Sequence, residues 1–280
     1  MNYKDFDKAS LSPMMQRYYD TKAQYDDAIL MYRLGDFYEM FFGDAEVASR
    51  ELELTLTGRD CGGGKRAPMC GVPYHAVDGY IAKLVSKGYK VAICEQLSNV
   101  PAPGKDIVDR EVVRVVTAGT VIDESMVKEE QSNYLVALYI NEHNIGYGWA
   151  DITTGEFNLY EQVADDVVAA IEDFLSAVGP SEIIANPAGC AYNEKLPSVI
   201  SGKFPHIQAY YDWAFKYKNA YESLIKALGV STLDAFEVTD KKDAVAAAGA
   251  LNEYLHETQK RDLPQFRKLS YYNDKNYMML

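Results

Sequence analysis

The chain has 280 residues, of which 48% are hydrophobic, and a formal net charge of −13. This length and apolar content suffice for two domains with their own cores. No segment approaches the length of a membrane span, and residues 1–5 lack the pattern of a secretion signal. The four cysteines do not have the spacing of a disulfide framework. A cytoplasmic protein is therefore expected, rather than a membrane protein or a secreted protein stabilised by disulfides.

The first predicted elements are a helix and a buried strand. Residues 12–27 are predicted to be helical, with Ser12 as N-cap and Pro13 in the first turn. The mostly apolar run 28–34 ends at Gly35, which is typical of a buried strand closed by a turn.

The segment 35–42, with the sequence GDFYEMFF, is predicted to start a second helix. Asp36 would be its N-cap and Glu39, three residues later, would complete a capping-box-like pair, followed by a core-facing stripe between residues 41 and 52. Phe37 lies off this stripe in the first turn. Two interpretations follow: Glu39 caps the helix under a Phe37 lid, or the ring and the carboxylate both reach out of the fold to a ligand.

A glycine-rich loop with a local charge balance of +2 is predicted at residues 57–66. Its three consecutive glycines permit mobility and close approach to a ligand. Phosphate or minor-groove contact is one interpretation, and a solvated surface loop is the other. The basic residues of this loop are Arg59, Lys65 and Arg66.

Strands and helices are predicted to alternate up to about Thr120, including a helix that ends at Gly88. Arg110 and Arg114 alternate with valines along one of these strands and are interpreted as a solvated face. Residues 123–132 are charged and lack periodicity, which predicts a linker.

The second half is predicted to open with a three-strand meander and to continue with alternating helices and strands. The predicted strands are 134–140, 145–152, 156–160 and 182–185, and the predicted helices are 165–178 and 243–260. Residues 1–125 carry 15 basic and 19 acidic side chains and residues 126–280 carry 13 and 22, balances of −4 and −9. The second half is therefore the less suited to contact a polyanion such as a nucleic acid.

Other common sites find little support. The run GGGKR at residues 62–66 lacks the glycine and the hydroxyl residue that a P-loop needs at its ends. The cysteines form no C-x-x-C pair and the four histidines are scattered, so neither a nucleotide site nor a structural metal site is expected.

Several separated motifs occur in one order along the chain. They are GDFYE at 35–39, LTLT at 54–57, PMCGVPYHA at 68–76, VAICEQ at 91–96 and VRVVTAGT at 113–120. Together they closely resemble the amino-terminal mismatch-recognition domain of the MutS family of bacterial DNA mismatch repair proteins. A later block, GWADITTGEF at 148–157, is similar to the start of that family's connector domain. Cys70 stands where the family often has alanine, and a small apolar residue is expected to be tolerated there.

The resemblance implies an α/β protein of two domains. A mixed-sheet mismatch-recognition domain would occupy residues 1–122 and a ribonuclease-H-like connector domain residues 133–262, joined by the linker at 123–132. Residues 263–280 would start a truncated third domain, so the chain would be an amino-terminal fragment. The family's ATPase, with its ATP and Mg, and the main homodimer contacts would lie outside it. The fragment itself would be a monomer without catalysis, cofactor or metal.

The resemblance also assigns roles to individual residues. In the family, the aromatic residue of a Phe-x-Glu motif is wedged beside a mispaired base and the glutamate hydrogen-bonds to that base. By resemblance these roles fall to Phe37 and Glu39, and this context favours DNA contact over simple capping. Weaker DNA contacts are expected from Arg59, Lys65, Arg66 and Met69.

Two rival functions remain for the second half. In the MutS family the connector can dock the partner protein MutL, so partner docking is one alternative. Ribonuclease-H-like folds elsewhere hold catalytic metals with acidic clusters, so a metal-dependent nuclease centred on Asp151 is the other. The competing structural interpretation of Asp151 is a turn cap beside Thr153 and Thr154, which the short side chain of aspartate favours.

Overall fold

The computed structural model describes residues 1–98, 108–121, 132–261, 263–266 and 268–272. The chain divides into two compact units, Met1–Thr117 and Ala118–Leu280, and each unit contains a six-stranded mixed sheet. This confirms the predicted α/β architecture. Within the described ranges, no helix combines the length and the apolar character needed to cross a membrane.

The first unit has strand order β3-β4-β2-β1-β5-β6, in which β1 and β5 are parallel and the other neighbours are antiparallel. Its strands are β1 (Ala28–Leu34), β2 (Phe37–Phe41), β3 (Thr57–Gly62), β4 (Lys65–Pro73), β5 (Lys90–Gln96) and β6 (Arg110–Val116), and its α-helices are α1 (Pro13–Gln24), α2 (Phe42–Leu52) and α3 (Val77–Ser86). The predicted first helix and first strand are confirmed to within three residues.

The helix predicted to start at Asp36 is wrong. Gly35 and Asp36 form a two-residue connection between the paired residues Leu34 and Phe37, with Gly35 at φ +60°, and the chain turns back as β2. The helix begins only at Phe42. Aromatic residues favour strands, and β2 is paired on both sides, by β1 and β4, which satisfies its backbone better than a free helical turn.

The segment predicted as a mobile loop at 57–66 is a β-hairpin. β3 and β4 pair antiparallel around Gly63 and Gly64, both of which have positive φ. A Cβ on Gly62 would lie 2.6 Å from the backbone nitrogen of Ser12, and that nitrogen donates to the Cys61 carbonyl at 2.7 Å. The glycines therefore hold the hairpin against the segment that precedes α1.

A buried ion pair ties α1 to the sheet of the first unit. Lys22 Nζ lies 3.0 Å from the Asp44 carboxylate and donates to the Ala28 carbonyl at 2.6 Å, while Asp44 also accepts from the Leu30 amide at 2.9 Å. Burial raises the pKa of Asp44, and the neighbouring Lys22 ammonium opposes that rise in pKa. The carboxylate thus depends on Lys22 to stay ionised inside the fold.

We expect Lys22→Met to lower the free energy of unfolding of the first unit by about 3–5 kcal/mol at pH 7, because it leaves a buried carboxylate without its cation. The pKa of Asp44 should then rise further above its unfolded value. The folded state binds that proton more tightly than the unfolded chain, so the loss should be smaller at pH 4 than at pH 7. Hydrogen exchange of the β1 amides, corrected for intrinsic exchange rates, measures the free energy of unfolding at pH 4 and at pH 7.

A suitable control is Lys4→Met, which removes an exposed ion pair between Lys4 and Asp26. A change below about 1 kcal/mol is expected for it. An equal loss for Lys22→Met at both pH values would contradict the role given to Asp44.

The second unit has strand order β11-β10-β7-β8-β9-β12. Its strands are β7 (Leu135–Asn141), β8 (Asn144–Asp151), β9 (Glu156–Val163), β10 (Glu182–Ala185), β11 (Ile207–Ala209) and β12 (Ser270–Tyr271), and its α-helices are α4 (Val167–Val178), α5 (Pro187–Cys190), α6 (Pro197–Ile200), α7 (Tyr217–Leu228) and α8 (Lys242–Gln259). The antiparallel β7-β8-β9 meander confirms the prediction, and β10 and β11 extend it as parallel strands. This is the arrangement expected of a ribonuclease-H-like domain.

The alanine-rich α8 packs directly on β8. A Cβ on Gly146 would lie 1.9 Å from the Asp243 carbonyl oxygen, and one on Gly148 would lie 2.9 Å from the Ala248 Cα. Small residues on both elements therefore bring the two backbones into contact, and the opposite face of the sheet is covered by α4.

The described part of 263–280, predicted to start a third domain, packs within the second unit. Leu263, Phe266 and Leu269 are buried in its core, and β12 pairs with β9. Residues 273–280 and all of the predicted linker except Ser132 lie outside the described residues.

Candidate functional site

Phe37 and Glu39 share one face of β2. Successive side chains of a strand alternate between faces, and Tyr38 and Met40 are buried on the opposite face. Phe37 is the first residue of β2 and is 47% exposed. Two positions along a strand correspond to roughly 7 Å, so the ring and the carboxylate are neighbours on the same surface.

The turn that carries Phe37 is braced from the side. The Gly35 amide donates to Gln96 Oε1 at 2.9 Å, and Arg110 donates to the same oxygen at 3.2 Å. Arg110 also donates to the Arg33 carbonyl at 2.7 Å. These bonds fix the backbone on which the exposed ring stands.

Arg110 and Arg114 do not form the predicted solvated face, since both are only partly exposed. The Arg110 guanidinium lies 5.3 Å from the centre of the Tyr32 ring as well as bonding the turn. Val112 and Val116, which have the same parity along β6 as the two arginines, are buried, and the exposed residues of this strand are Glu111 and Val113.

Glu39 caps no helix, because it lies in the middle of β2. Its carboxylate forms an ion pair with the guanidinium of Arg59 on β3, and the two side chains are 16% and 38% exposed. The β4 residue opposite Glu39 is Gly71, and a Cβ there would lie 3.5 Å from Glu39 Cγ. The glutamate therefore rests over a position that has no side chain.

Met69 completes the group. It pairs with Phe41 on one side and Thr57 on the other, and it is partly buried. The Arg59 guanidinium lies 6.0 Å from the centre of the Phe41 ring. The structure thus brings Phe37, Glu39, Arg59 and Met69 to one face of the sheet.

Lys65 and Arg66 lie apart from this group. Lys65 is the first residue of β4 and Pro73 is the last, so the two lie roughly 26 Å apart along the strand. Pro73 is the residue that pairs with Phe37. Lys65 Nζ lies 5.5 Å from the Phe6 ring centre, and Arg66 donates to the Gly58 carbonyl. Of the three basic residues in the predicted loop, only Arg59 therefore reaches the neighbourhood of Glu39.

Two positioning residues received no individual role from the sequence. Gly71 leaves space for Glu39, and Gln96 holds the turn before Phe37. A glycine inside a strand pattern signals close approach of another group, which is the one sign that pointed to Gly71. Nothing local distinguishes Gln96.

Asp151 at the end of β8 is a turn cap. Its Oδ1 accepts from the Thr153 amide at 2.8 Å and from the Thr153 hydroxyl at 2.5 Å, and its Oδ2 accepts from the Asn133 amide at 2.9 Å. The turn-capping interpretation is confirmed. Across the part of the chain that the structure describes, no three His, Cys, Asp or Glu side chains gather as a metal site would require.

The chain is similar to known mismatch repair proteins over nearly its whole length. Residues 12–125 match MutS domain I and residues 133–267 match MutS domain II. The DNA mismatch repair protein MutS of Ruminiclostridium cellulolyticum is 48% identical over 272 residues, which cover 97% of this chain and 31% of that protein. The MutS proteins of Alkaliphilus oremlandii and Acetivibrio thermocellus are each 44% identical over 275 residues, covering 96% and 97% of this chain.

This chain spans about 31% of the length of these curated relatives. The two matched domains follow the two structural units and together account for most of the residues. The chain therefore belongs to the MutS family of DNA mismatch repair proteins and contains its domains I and II.

Proposed function

We propose that the first unit recognises mispaired or unpaired bases in duplex DNA through Phe37 and Glu39. The observation that carries this proposal is the exposed Phe37 ring on a braced turn, beside a carboxylate on the same face. Single exposed apolar side chains are common on protein surfaces, so the exposure of Phe37 supports the proposal only together with the braced turn and the neighbouring carboxylate. Support also comes from the DNA mismatch repair relatives.

The wedge would test how firmly a base pair is stacked. Inserting an apolar ring from the minor groove unstacks a base step at a cost on the order of a few kcal/mol and kinks the duplex. That cost is least where pairing is already poor. Recognition is then a readout of deformability, and no base sequence is read.

Glu39 would add a hydrogen bond to the displaced base. An ionised carboxylate only accepts, which suits a pyrimidine ring N–H, whereas bonding to a purine N7 requires the protonated acid. The negative charge of the carboxylate is also repelled by the phosphates of the duplex. The carboxylate therefore weakens binding to intact DNA, and it forms a stabilising hydrogen bond only at an altered base.

For the full-length protein we expect Glu39→Gln to keep or raise the affinity for perfectly paired DNA and to lose discrimination. The amide carries no charge to be repelled by phosphates, and so the penalty on sound DNA disappears. Dissociation constants for matched and mismatched duplexes measure the ratio. Glu111→Gln, which removes an exposed charge from β6 of the same sheet, serves as the control. A wild-type affinity ratio in Glu39→Gln would remove the glutamate from the mechanism.

We propose that these residues act within a longer MutS protein and are noncatalytic themselves. Domains I and II are not the ATPase domain, so ATP, Mg and the homodimer contacts would belong to the remaining two thirds. The acidic balance of the chain should make its own DNA binding weak and salt-sensitive. We also infer a cytoplasmic location. Tight, salt-insensitive binding of mismatched DNA by the isolated 280 residues would contradict the proposal that the rest of the protein holds them on DNA.

We propose partner docking, with MutL as the partner, as the role of the second unit. A groove of about 520 Å³ between β9 and α4 favours it, because aromatic rings and carboxylates line the groove together. These residues include Trp149, Tyr160, Phe174, Glu156 and Asp173. Separate binding measurements with MutL and with mismatched DNA distinguish this role from DNA contact.

A further inference from the structure

We infer that Arg59 is a positioning residue for mismatch discrimination, which acts through Glu39 rather than as an independent phosphate ligand. Its guanidinium holds the Glu39 carboxylate in place before DNA arrives and offsets part of the repulsion between that carboxylate and the phosphates. This inference rests on the proposed function of Glu39 and adds the residue that controls it.

The ion pair bridges three strands. Glu39 lies on β2, Arg59 on β3, and β4 runs between them with Gly71 opposite Glu39. A Cβ at Gly71 would already contact Glu39 Cγ at 3.5 Å and lie 3.3 Å from the Tyr38 carbonyl oxygen. Glycine at this position leaves the surface open for a carboxylate and a guanidinium to meet across the middle strand.

The environment makes Glu39 dependent on this contact. The Glu39 side chain is only 16% exposed, so its charge is less well solvated than that of a surface glutamate. Within the described ranges, Arg59 is the one ion-pair partner of Glu39. Removing the cation from a partly buried carboxylate is unfavourable, and the phosphates of a bound duplex would increase that penalty.

The nearby arginine on β6 is committed elsewhere. Arg110 lies over the ring of Tyr32, the β1 residue that pairs with Glu39 of β2. The Arg110 guanidinium, however, donates hydrogen bonds to the Arg33 and Val108 carbonyls and to the Gln96 side chain. It supports the turn of Phe37 and does not replace Arg59. The two arginines thus support the two halves of the Phe-x-Glu pair separately.

The two possible roles of Arg59 differ in how they depend on Glu39. A phosphate ligand lowers the affinity for every duplex by the same factor when removed, whether the carboxylate is present or replaced by an amide, and reduces the salt slope by about one. A positioning residue acts only while the carboxylate is present. Its removal should therefore alter discrimination in the wild-type background and have little effect in the Glu39→Gln background.

The test is a double-mutant cycle in the full-length protein with wild type, Arg59→Gln, Glu39→Gln and the double variant. Dissociation constants for matched and mismatched duplexes are measured at several salt concentrations. We expect Arg59→Gln to bring the mismatch-to-match affinity ratio close to that of Glu39→Gln. In the Glu39→Gln background the same change should alter either affinity less than about twofold. Equal fold-losses in both backgrounds, together with a reduced salt slope, would overturn the inference.

Two further variants keep the result interpretable. Arg59→Lys retains the charge and should keep more of the discrimination than Arg59→Gln, which a loss of folding would not produce. Arg66→Gln changes a basic residue of the same hairpin that bonds Gly58 and does not contact Glu39, so its effect should be the same in both backgrounds.

The cycle also separates the failure of this inference from the failure of the proposed function. If Glu39→Gln leaves the mismatch-to-match affinity ratio unchanged, the glutamate has no role in discrimination, and the proposed function of Glu39 is wrong. If Glu39→Gln alters the ratio and Arg59→Gln is additive with it, only the positioning role of Arg59 is wrong.

Discussion

Phe37→Ala in the full-length protein is expected to bring the affinities for mismatched and perfectly paired DNA close together. Alanine cannot fill the gap beside a displaced base, and stacking of an aromatic ring on a base contributes about 1–3 kcal/mol, or roughly 5- to 150-fold in affinity. The loss should fall on the mismatched duplex, because in the proposed mechanism the ring inserts only where pairing is already poor. Dissociation constants for both duplexes at one salt concentration measure it.

Because Phe37 is exposed, its substitution should affect DNA binding without affecting folding. A residue that is 47% exposed can be truncated with little change in stability, so lost selectivity will not reflect unfolding. Val113→Ala shortens another exposed apolar side chain on the same sheet and should leave both affinities unchanged. If Phe37→Ala weakens both duplexes by the same factor, the ring supports general contact and does not discriminate.

The second large effect is expected in the core of the second unit, where Gly146→Ala should lower the free energy of unfolding by about 3 kcal/mol or more. The new Cβ would lie 1.9 Å from the Asp243 carbonyl oxygen, so β8 and α8 must separate. Both tryptophans, Trp149 and Trp213, belong to this unit. Urea unfolding followed by tryptophan fluorescence therefore reports it alone.

Gly79→Ala is the matched control, because no atom lies within 4 Å of its added Cβ and the residue is inside α3. Alanine should raise the protection of α3 amides by about 0.5–1 kcal/mol and leave the tryptophan transition unchanged. A Gly146→Ala midpoint equal to that of the wild type would show that α8 is not held against β8 as described.

The sequence predicts the parts of this fold that depend on local pattern. The run 28–34 is apolar throughout most of its length and forms a strand, and the alternating segments of the second half form the β7-β8-β9 meander. The turn cap at Asp151 is predictable because its partner Thr153 is only two residues away. In these cases the contacts that decide the structure lie within the window that the pattern covers.

The errors arise where distant strands decide the structure. Asp36 and Glu39 have capping-box spacing, but Phe37 pairs with Pro73 on β4, a partner 36 positions later that no local pattern reveals. The same pairing, continued to β3, brings Arg59 to Glu39 and leaves Lys65 and Arg66 behind. The family resemblance assigns expected roles to residues, whereas strand register decides which of those residues meet.

The proposed mechanism is tested most simply by asking whether the Phe37 ring unstacks a faulty base. A duplex with 2-aminopurine beside a mismatch reports unstacking as a rise in fluorescence when the full-length protein binds. We predict a rise with wild type on the mismatched duplex, little change on the perfect duplex, and loss of the rise in Phe37→Ala at saturating protein. The same rise with Phe37→Ala would contradict the wedge role of Phe37, because the base would then leave the stack without the ring.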